Sequence, residues 1–226
     1  MNLKKVVAVI VEGPSDETAL GTIMTEFFQN DQIKFVVVHG DITTDQWVDS
    51  NNVVKKVNTL IMDEAKKYGY KRSDFEKIIH IVDSDGVYVS GENIKYADTS
   101  KVQYYMDRIE TNNVDGIIAR NTKKAEVLYK LRQTGKVNGI PYRVYFNSCN
   151  LEHVLHNQLK DFSDQEKEDM AYDFADKYEG DVQGFIDFIS SREVAVPGSF
   201  KDSWSFLEQG VNSLNRFSNM HLIFAT

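Results

Sequence analysis

Apolar and polar positions follow two different periods along this chain, and the switches between them divide it into elements. Val6-Val7-Ala8-Val9-Ile10-Val11 and Ile78-Ile79-His80-Ile81-Val82 are near-continuous apolar runs rich in β-branched residues. Such runs predict strands buried on both faces of a parallel sheet. Between them, residues 16–29 place Leu20, Ile23, Met24, Phe27 and Phe28 at helical spacing, with Ser15 or Asp16 as a suitable N-cap. Residues 34–38 predict a second strand, and residues 48–68 a long, Lys-rich amphipathic helix ending near Gly69. The resulting β-α-β-α-β series implies a parallel sheet with right-handed crossovers.

Residues 87–100 show no clear period and predict a loop. Helices are expected over 101–112 and 122–133, and a strand over 142–146, announced by Gly139 and Pro141. The remainder reads as helices over 150–159, 163–178, 181–190 and 203–215. The expected fold class is therefore α/β: a Rossmann-like parallel sheet flanked by helices over residues 1–150, with a mainly helical extension over 151–226 packed on it. No internal repeat, low-complexity tract or clear linker interrupts it.

Each of the two apolar runs ends in carboxylates. The first is followed by Glu12-Gly13-Pro14-Ser15-Asp16, the second by Asp83-Ser84-Asp85-Gly86. Gly13 permits a sharp strand-to-helix turn, and a helix N-terminus there favours anionic groups. Asp83 and Asp85, two apart, share a side if the strand continues. Each motif also has a plain structural reading. Asp16 would cap a helix beside an exposed Glu12, and Asp83 to Gly86 would form an Asx-rich turn. Taken together, the motifs occupy equivalent ends of two parallel strands, where open α/β sheets hold their ligands. Four carboxylates there repel one another unless a positive charge sits among them, and hard divalent cations with oxygen ligands suit the place.

Composition narrows the classes. The chain has 226 residues, 42% hydrophobic and 27% charged, as expected of a folded globular protein. No apolar run reaches the roughly 20 residues a membrane span needs, so no membrane partner is expected. The first strand begins almost at once, unlike a signal peptide. Cys149 is the single cysteine, which rules out an internal disulfide and suits a reducing cytoplasm. The net charge of −8 argues against broad capture of duplex nucleic acid. A local basic groove would draw on Lys55-Lys56, Lys66-Lys67, Lys71-Arg72 or Lys123-Lys124, although solvated helix faces are the simpler reading of each pair. No Gly-x-x-x-x-Gly-Lys-Ser/Thr loop is present, so ATP hydrolysis is not expected of this chain.

The Glu-Gly-x-Ser-Asp element and the later Asp-x-Asp-Gly element resemble the two signature motifs of the Toprim domain, found in topoisomerases, primases, recombination proteins and OLD-type nucleases. The resemblance covers roughly residues 5–150. It implies that Glu12, Asp83 and Asp85 carry metal binding and acid/base chemistry, and that Asp16 is the further acidic position of the nuclease members. The segment Asn147-Ser148-Cys149-Asn150-Leu151-Glu152 is similar to the Asn-x-Cys-x-x-Glu element of small RloB-like proteins linked to phage defence, and residues 213–219 have the same character. These resemblances imply a metal-dependent nuclease acting on DNA or RNA in an antiviral defence system. Mg²⁺ or Mn²⁺ would be held by Glu12, Asp16, Asp83, Asp85 and Glu152, with Glu12 a ligand or general base. OLD-type nucleases also use a lysine downstream of the Asp-x-Asp pair, and Lys201 is the candidate here. A homo-oligomer, or a partner ATPase in a larger complex, fits the same picture.

Two rivals stay open. A haloacid-dehalogenase-like phosphatase would use Asp83 as its nucleophile, but would leave Glu12-Gly13 unexplained. A non-catalytic effector module would keep the acidic cluster for metal or a partner protein. Other residues have plainer readings: His153 and His156, three apart on a helix, as ordinary helix residues rather than zinc ligands; His80 as a satisfied core histidine; Cys149 as a buried, inert thiol; Phe27-Phe28 and Tyr104-Tyr105 as packing rather than base-stacking platforms.

Overall fold

A computed structural model of the protein describes residues 5–29, 33–37, 41–160 and 162–225. In chain order the elements are β1 (Val6–Val11), α1 (Pro14–Phe27), β2 (Ile33–Val37), α2 (Val53–Tyr68), β3 (Phe75–Asp83), β4 (Ile94–Tyr96), β5 (Gln103–Tyr104), β6 (Ile109–Thr111), α3 (Val114–Gln133), β7 (Lys136–Val137), β8 (Ile140–Asn147), α4 (Leu151–His156), α5 (Asp164–Tyr178), α6 (Val182–Ile189) and α7 (Phe200–Leu207). The architecture is α/β, with a mixed, mainly parallel sheet of order β2-β1-β3-β8-β7. The predicted strand over 34–38 is β2; its last residue, Val38, lies outside the described residues.

The chain packs as two compact units that interleave in sequence. The first comprises residues 1–82, 126–145 and 168–182, the second residues 83–125, 146–167 and 183–226. One switch between the units falls at Tyr145/Phe146, close to residue 150; residues 83–125 also belong with the second unit and residues 168–182 with the first.

In the first unit, β1 is an inner strand, parallel to β2 on one side and to β3 on the other, and all six of its residues are buried. An unbroken apolar run is the sequence that position requires. α1 buries Ala19, Leu20, Ile23 and Met24, and α2 buries Val53, Val57, Ile61 and Ala65, a clean i, i+4, i+8, i+12 stripe. α2 starts five residues later than its apolar pattern suggests. Polar turns occupy the intervening stretch, with Asp49 Oδ1 accepting from the backbone N–H groups of Asn51 and Asn52 at 2.8 and 3.0 Å. It ends where expected, at Gly69 in the left-handed conformation (φ 72°).

In the second unit, the helix expected over 101–112 is a small sheet instead, of order β4-β6-β5. β6 pairs with β5 antiparallel and with β4 parallel. Ile109 and Thr111 are buried and Glu110 between them is not, a period of two that overrides the weak helical spacing. Ile109 packs with Val89, Ile94, Ile117 and Leu214 in a local core. Trp204 of α7 rests edge-on against Phe146 at 4.9 Å. α7 itself ends at Leu207, short of the helix expected over 203–215. Among the described residues, no helix is long and apolar enough to cross a membrane.

His80 is buried on β3, its Nδ1 2.7 Å from the Tyr142 hydroxyl, the satisfied core histidine its pattern predicts. Burial lowers its pKa to about 4, with Asp41 pulling weakly the other way. The unfolded chain, where histidine titrates near its ordinary value, therefore takes up a proton first as the pH falls. The stability that His80 preserves is complete above about pH 6.5 and is lost toward pH 4, at about 1.4 kcal/mol per pH unit inside that window. We expect the urea midpoint to drop between pH 7 and pH 5, and to drop less in His80→Asn. An equal drop in both proteins would remove His80 from this account.

Candidate functional site

Asp83 is the last residue of β3, and the strand stops there. Asp85 does not continue the pleat: it is left-handed (φ 48°), as is Gly86 (φ 65°). The shared strand face expected for Asp83 and Asp85 is therefore absent, and a tight turn replaces it, with Val87 N–H donating to Ser84 O at 2.9 Å. Only a small residue fits at Gly86, where an added Cβ would lie 2.5 Å from Leu214 Cδ2 in a backbone conformation that L side chains avoid.

The end of β8 meets this turn through backbone hydrogen bonds. Ser84 N–H donates to Asn147 O, and Asp85 N–H to Cys149 O, each at 2.9 Å. Cys149 is itself left-handed (φ 59°). Its N–H is shared between Ser213 O at 2.9 Å and Ser84 Oγ at 3.1 Å. Two facing left-handed non-glycine residues are strain that the surrounding bonds must over-determine.

The carboxylates are held by the second unit's own polar groups. Asn147 Nδ2 donates to Asp83 Oδ1 at 3.1 Å. Lys124 Nζ sits 2.6 Å from Asp85 Oδ2; the lysine side chain is 0% exposed and the aspartate 26%. Arg120 donates to Asp85 O at 3.0 Å and to the Tyr104 hydroxyl at 2.8 Å, and Asn121 Nδ2 donates to Gly86 O at 3.4 Å. Glu152, buried in the first turn of α4, pairs with Lys167 at 3.1 Å. Burial, then Asp85, Asp83 and Glu152, push the Cys149 thiol well above its ordinary pKa, against the pull of Arg120. The buried thiol stays protonated and unfit as a nucleophile.

Compared with protein-family models, with characterised proteins and with solved structures, the chain matches none.

The other expected site residues fall as follows. Glu12 and Asp16 lie in the first unit, in the turn after β1. Asp16 Oδ2 accepts from Glu12 N–H and Gly13 N–H at 3.1 Å each, so Asp16 serves as the capping carboxylate of α1, with Gly13 rather than Ser15 or Asp16 in the cap position. Lys201 is exposed in the first turn of α7, where its charge lowers the pKa of Asp202 after the bonds from Ser199 do so. Among the described residues, no three His, Cys, Asp or Glu side chains converge as a metal cage would require. The donors present are carboxylate oxygens, which suit a hard divalent cation. His153 is buried, and burial with Arg216 lowers its pKa to about 4; its Nδ1 has no hydrogen-bond partner among the described residues.

The residue the sequence reading passed over is Lys124, taken there for half of a solvated Lys-Lys pair. A signal was available. Ile117, Asn121, Lys124, Leu128 and Leu131 fall at i, i+4, i+7, i+11 and i+14, and all are buried. A lysine and an asparagine on the apolar stripe of a helix need partners. Removing either member of the Asp85–Lys124 pair strands the other, at a cost of about 3–5 kcal/mol. We expect Lys124→Met and Asp85→Asn each to lose that much in urea denaturation, and Lys124→Met/Asp85→Asn to lose clearly less than their sum. Strict additivity would show that the two charges do not couple.

Proposed function

We propose that the protein is a Toprim-like, Mg²⁺- or Mn²⁺-dependent nuclease that hydrolyses phosphodiester bonds of DNA or RNA, acting in antiviral defence. The observation that carries the reading is the pair Asp83 and Asp85 on the turn that ends β3, with the buried Lys124 ammonium 2.6 Å from Asp85. Asp83 and Asp85 are the residues that would hold the cation, and a bound cation supplies Lewis-acid polarisation of the scissile phosphate and a more acidic water. Asn147 orients Asp83 by donating to one of its oxygens. Arg120 and Lys124 fix the turn that carries Asp85, and Lys124 rather than Lys201 is the lysine this reading places beside developing negative charge. Glu12 enters through its motif alone.

One observation favours the non-catalytic alternative. Asp85 already has its own cation in Lys124, so part of the acidic cluster is neutralised without a metal. The two readings separate in one experiment. Purified protein is incubated with supercoiled plasmid, single-stranded DNA or tRNA, in Mg²⁺, Mn²⁺ or chelator. The nuclease reading expects metal-dependent cleavage that falls about 10²-fold or more in Asp83→Ala and Glu12→Ala, with melting temperatures close to wild type. Wild type indistinguishable from both variants on every substrate would leave the binding module. A phosphoryl group trapped on Asp83 would point instead to the phosphatase.

A further inference from the structure

The second unit contains a cleft of about 500 Å³ between the β5 segment on one side and Asn150, Leu159, Lys160, Phe162 and Lys167 on the other. Its volume suits a small organic ligand. Although the protein carries a net charge of −8, three lysines, Lys101, Lys160 and Lys167, line this cleft, and among its described lining residues there is no carboxylate. Its walls also bear the aromatic rings of Tyr104, Tyr105 and Phe162. Positive charge beside aromatic faces is the combination that binds a phosphate and a base together.

We propose that this cleft binds a nucleoside phosphate unit, either a free nucleotide or a nucleotide within a single strand. The rings are pre-set for a base. The Tyr104 hydroxyl accepts from Arg120 at 2.8 Å, and burial, with Asp85 nearby, raises its pKa to about 12, so it stays neutral. The Tyr105 hydroxyl donates to Gln103 Oε1 at 3.0 Å, and the Arg108 guanidinium lies 4.1 Å from its ring centre. A ring held in place costs a ligand little ordering entropy. Lys160 can turn to a phosphate, because its 2.8 Å pair with Glu166 is exposed and of little net strength, whereas Lys167 is held 3.1 Å from the buried Glu152. Arg120 joins this cleft to the carboxylates, bonding Tyr104 with one nitrogen and Asp85 O with another. A nucleotide in the cleft is therefore one arginine away from Asp85. Tyr104 packs on the core around Ile109 and Leu214, as the sequence suggests, and Tyr105 is the candidate base platform.

The inference rests on the nuclease reading for the fate of a bound strand but not for its binding, so the test is run in chelator. Fluorescence anisotropy of a labelled short oligothymidylate with the full chain should show binding tighter than that of a duplex of equal length. Lys101→Ala/Lys160→Ala should weaken it about tenfold and flatten the salt slope by roughly 1.4, the share of two phosphate contacts on a single strand. Tyr105→Ala should weaken it about tenfold as well. Competition by AMP identifies a free nucleotide as a sufficient ligand; binding of the strand without such competition identifies the strand; either supports the cleft. Failure of both AMP and oligothymidylate to bind, or binding unchanged in the lysine and tyrosine variants, overturns it. Strand binding without any metal-dependent cleavage removes the nuclease and leaves the cleft, whereas cleavage indifferent to the cleft variants does the reverse.

Discussion

A lysine with no exposed surface must have a carboxylate, and for Lys124 that carboxylate is Asp85. This requirement organises the turn after β3. Asp85 meets Lys124 from a left-handed backbone. The conformation is held from three sides: Cys149 O receives the Asp85 N–H, Asp85 O receives Arg120, and Gly86 O receives Asn121. Arg120, Asn121 and Lys124 lie within two turns of one helix, α3, so a single rigid element supplies the Asp85 O, Gly86 O and Asp85 carboxylate contacts. Cooperation of this kind is how a strained turn survives in a folded state with only a few kcal/mol to spare.

The C-terminal segment closes the same junction from another direction. Ser213, Ser218 and Asn219 are fully buried, yet each has partners: Ser213 O accepts from Ser84 and Cys149, Ser218 Oγ donates to Phe146 O, and Asn219 bridges Phe146 N–H and Ser203. Small polar side chains let a non-repetitive segment lie against the end of β8 without stranding its backbone groups. The polar run at 213–219 thus acts as a brace, a role no spacing rule assigns. For function, the junction matters because it is both acidic and internally compensated. Asp83, Asp85 and Glu152 are met by Asn147, Lys124 and Lys167. The positive charge that acidic motifs demand comes at least in part from the protein itself.

Much of this was legible beforehand, and for a physical reason. The run Val6–Val11 has no polar interruption because an inner parallel strand offers no solvated face, so burial of β1 follows from composition alone. The stop at Gly69 follows from its tolerance of positive φ. The α2 start and the β5–β6 hairpin were misread because local polar turns and cross-strand pairing compete with helical spacing at similar energies. Asp16 shows how a motif can carry two readings at once: its spacing from Glu12 fits a ligand pair and equally a cap, and the cap is formed.

The sequence by itself determined the four longer strands of the main sheet, the helices α1 and α2 and the carboxylates at the strand tips, because those depend on period and composition. Only the tertiary structure decided what faces the carboxylates. The apolar stripe of α3 says that Lys124 needs a partner, but only the packed structure says that the partner is Asp85. Asp83 and Asp85 likewise look equivalent along the chain. One ends a strand, the other turns left-handed to meet an ammonium group supplied by residues 39 positions away. Contacts of that separation are fixed by packing, which no local pattern encodes.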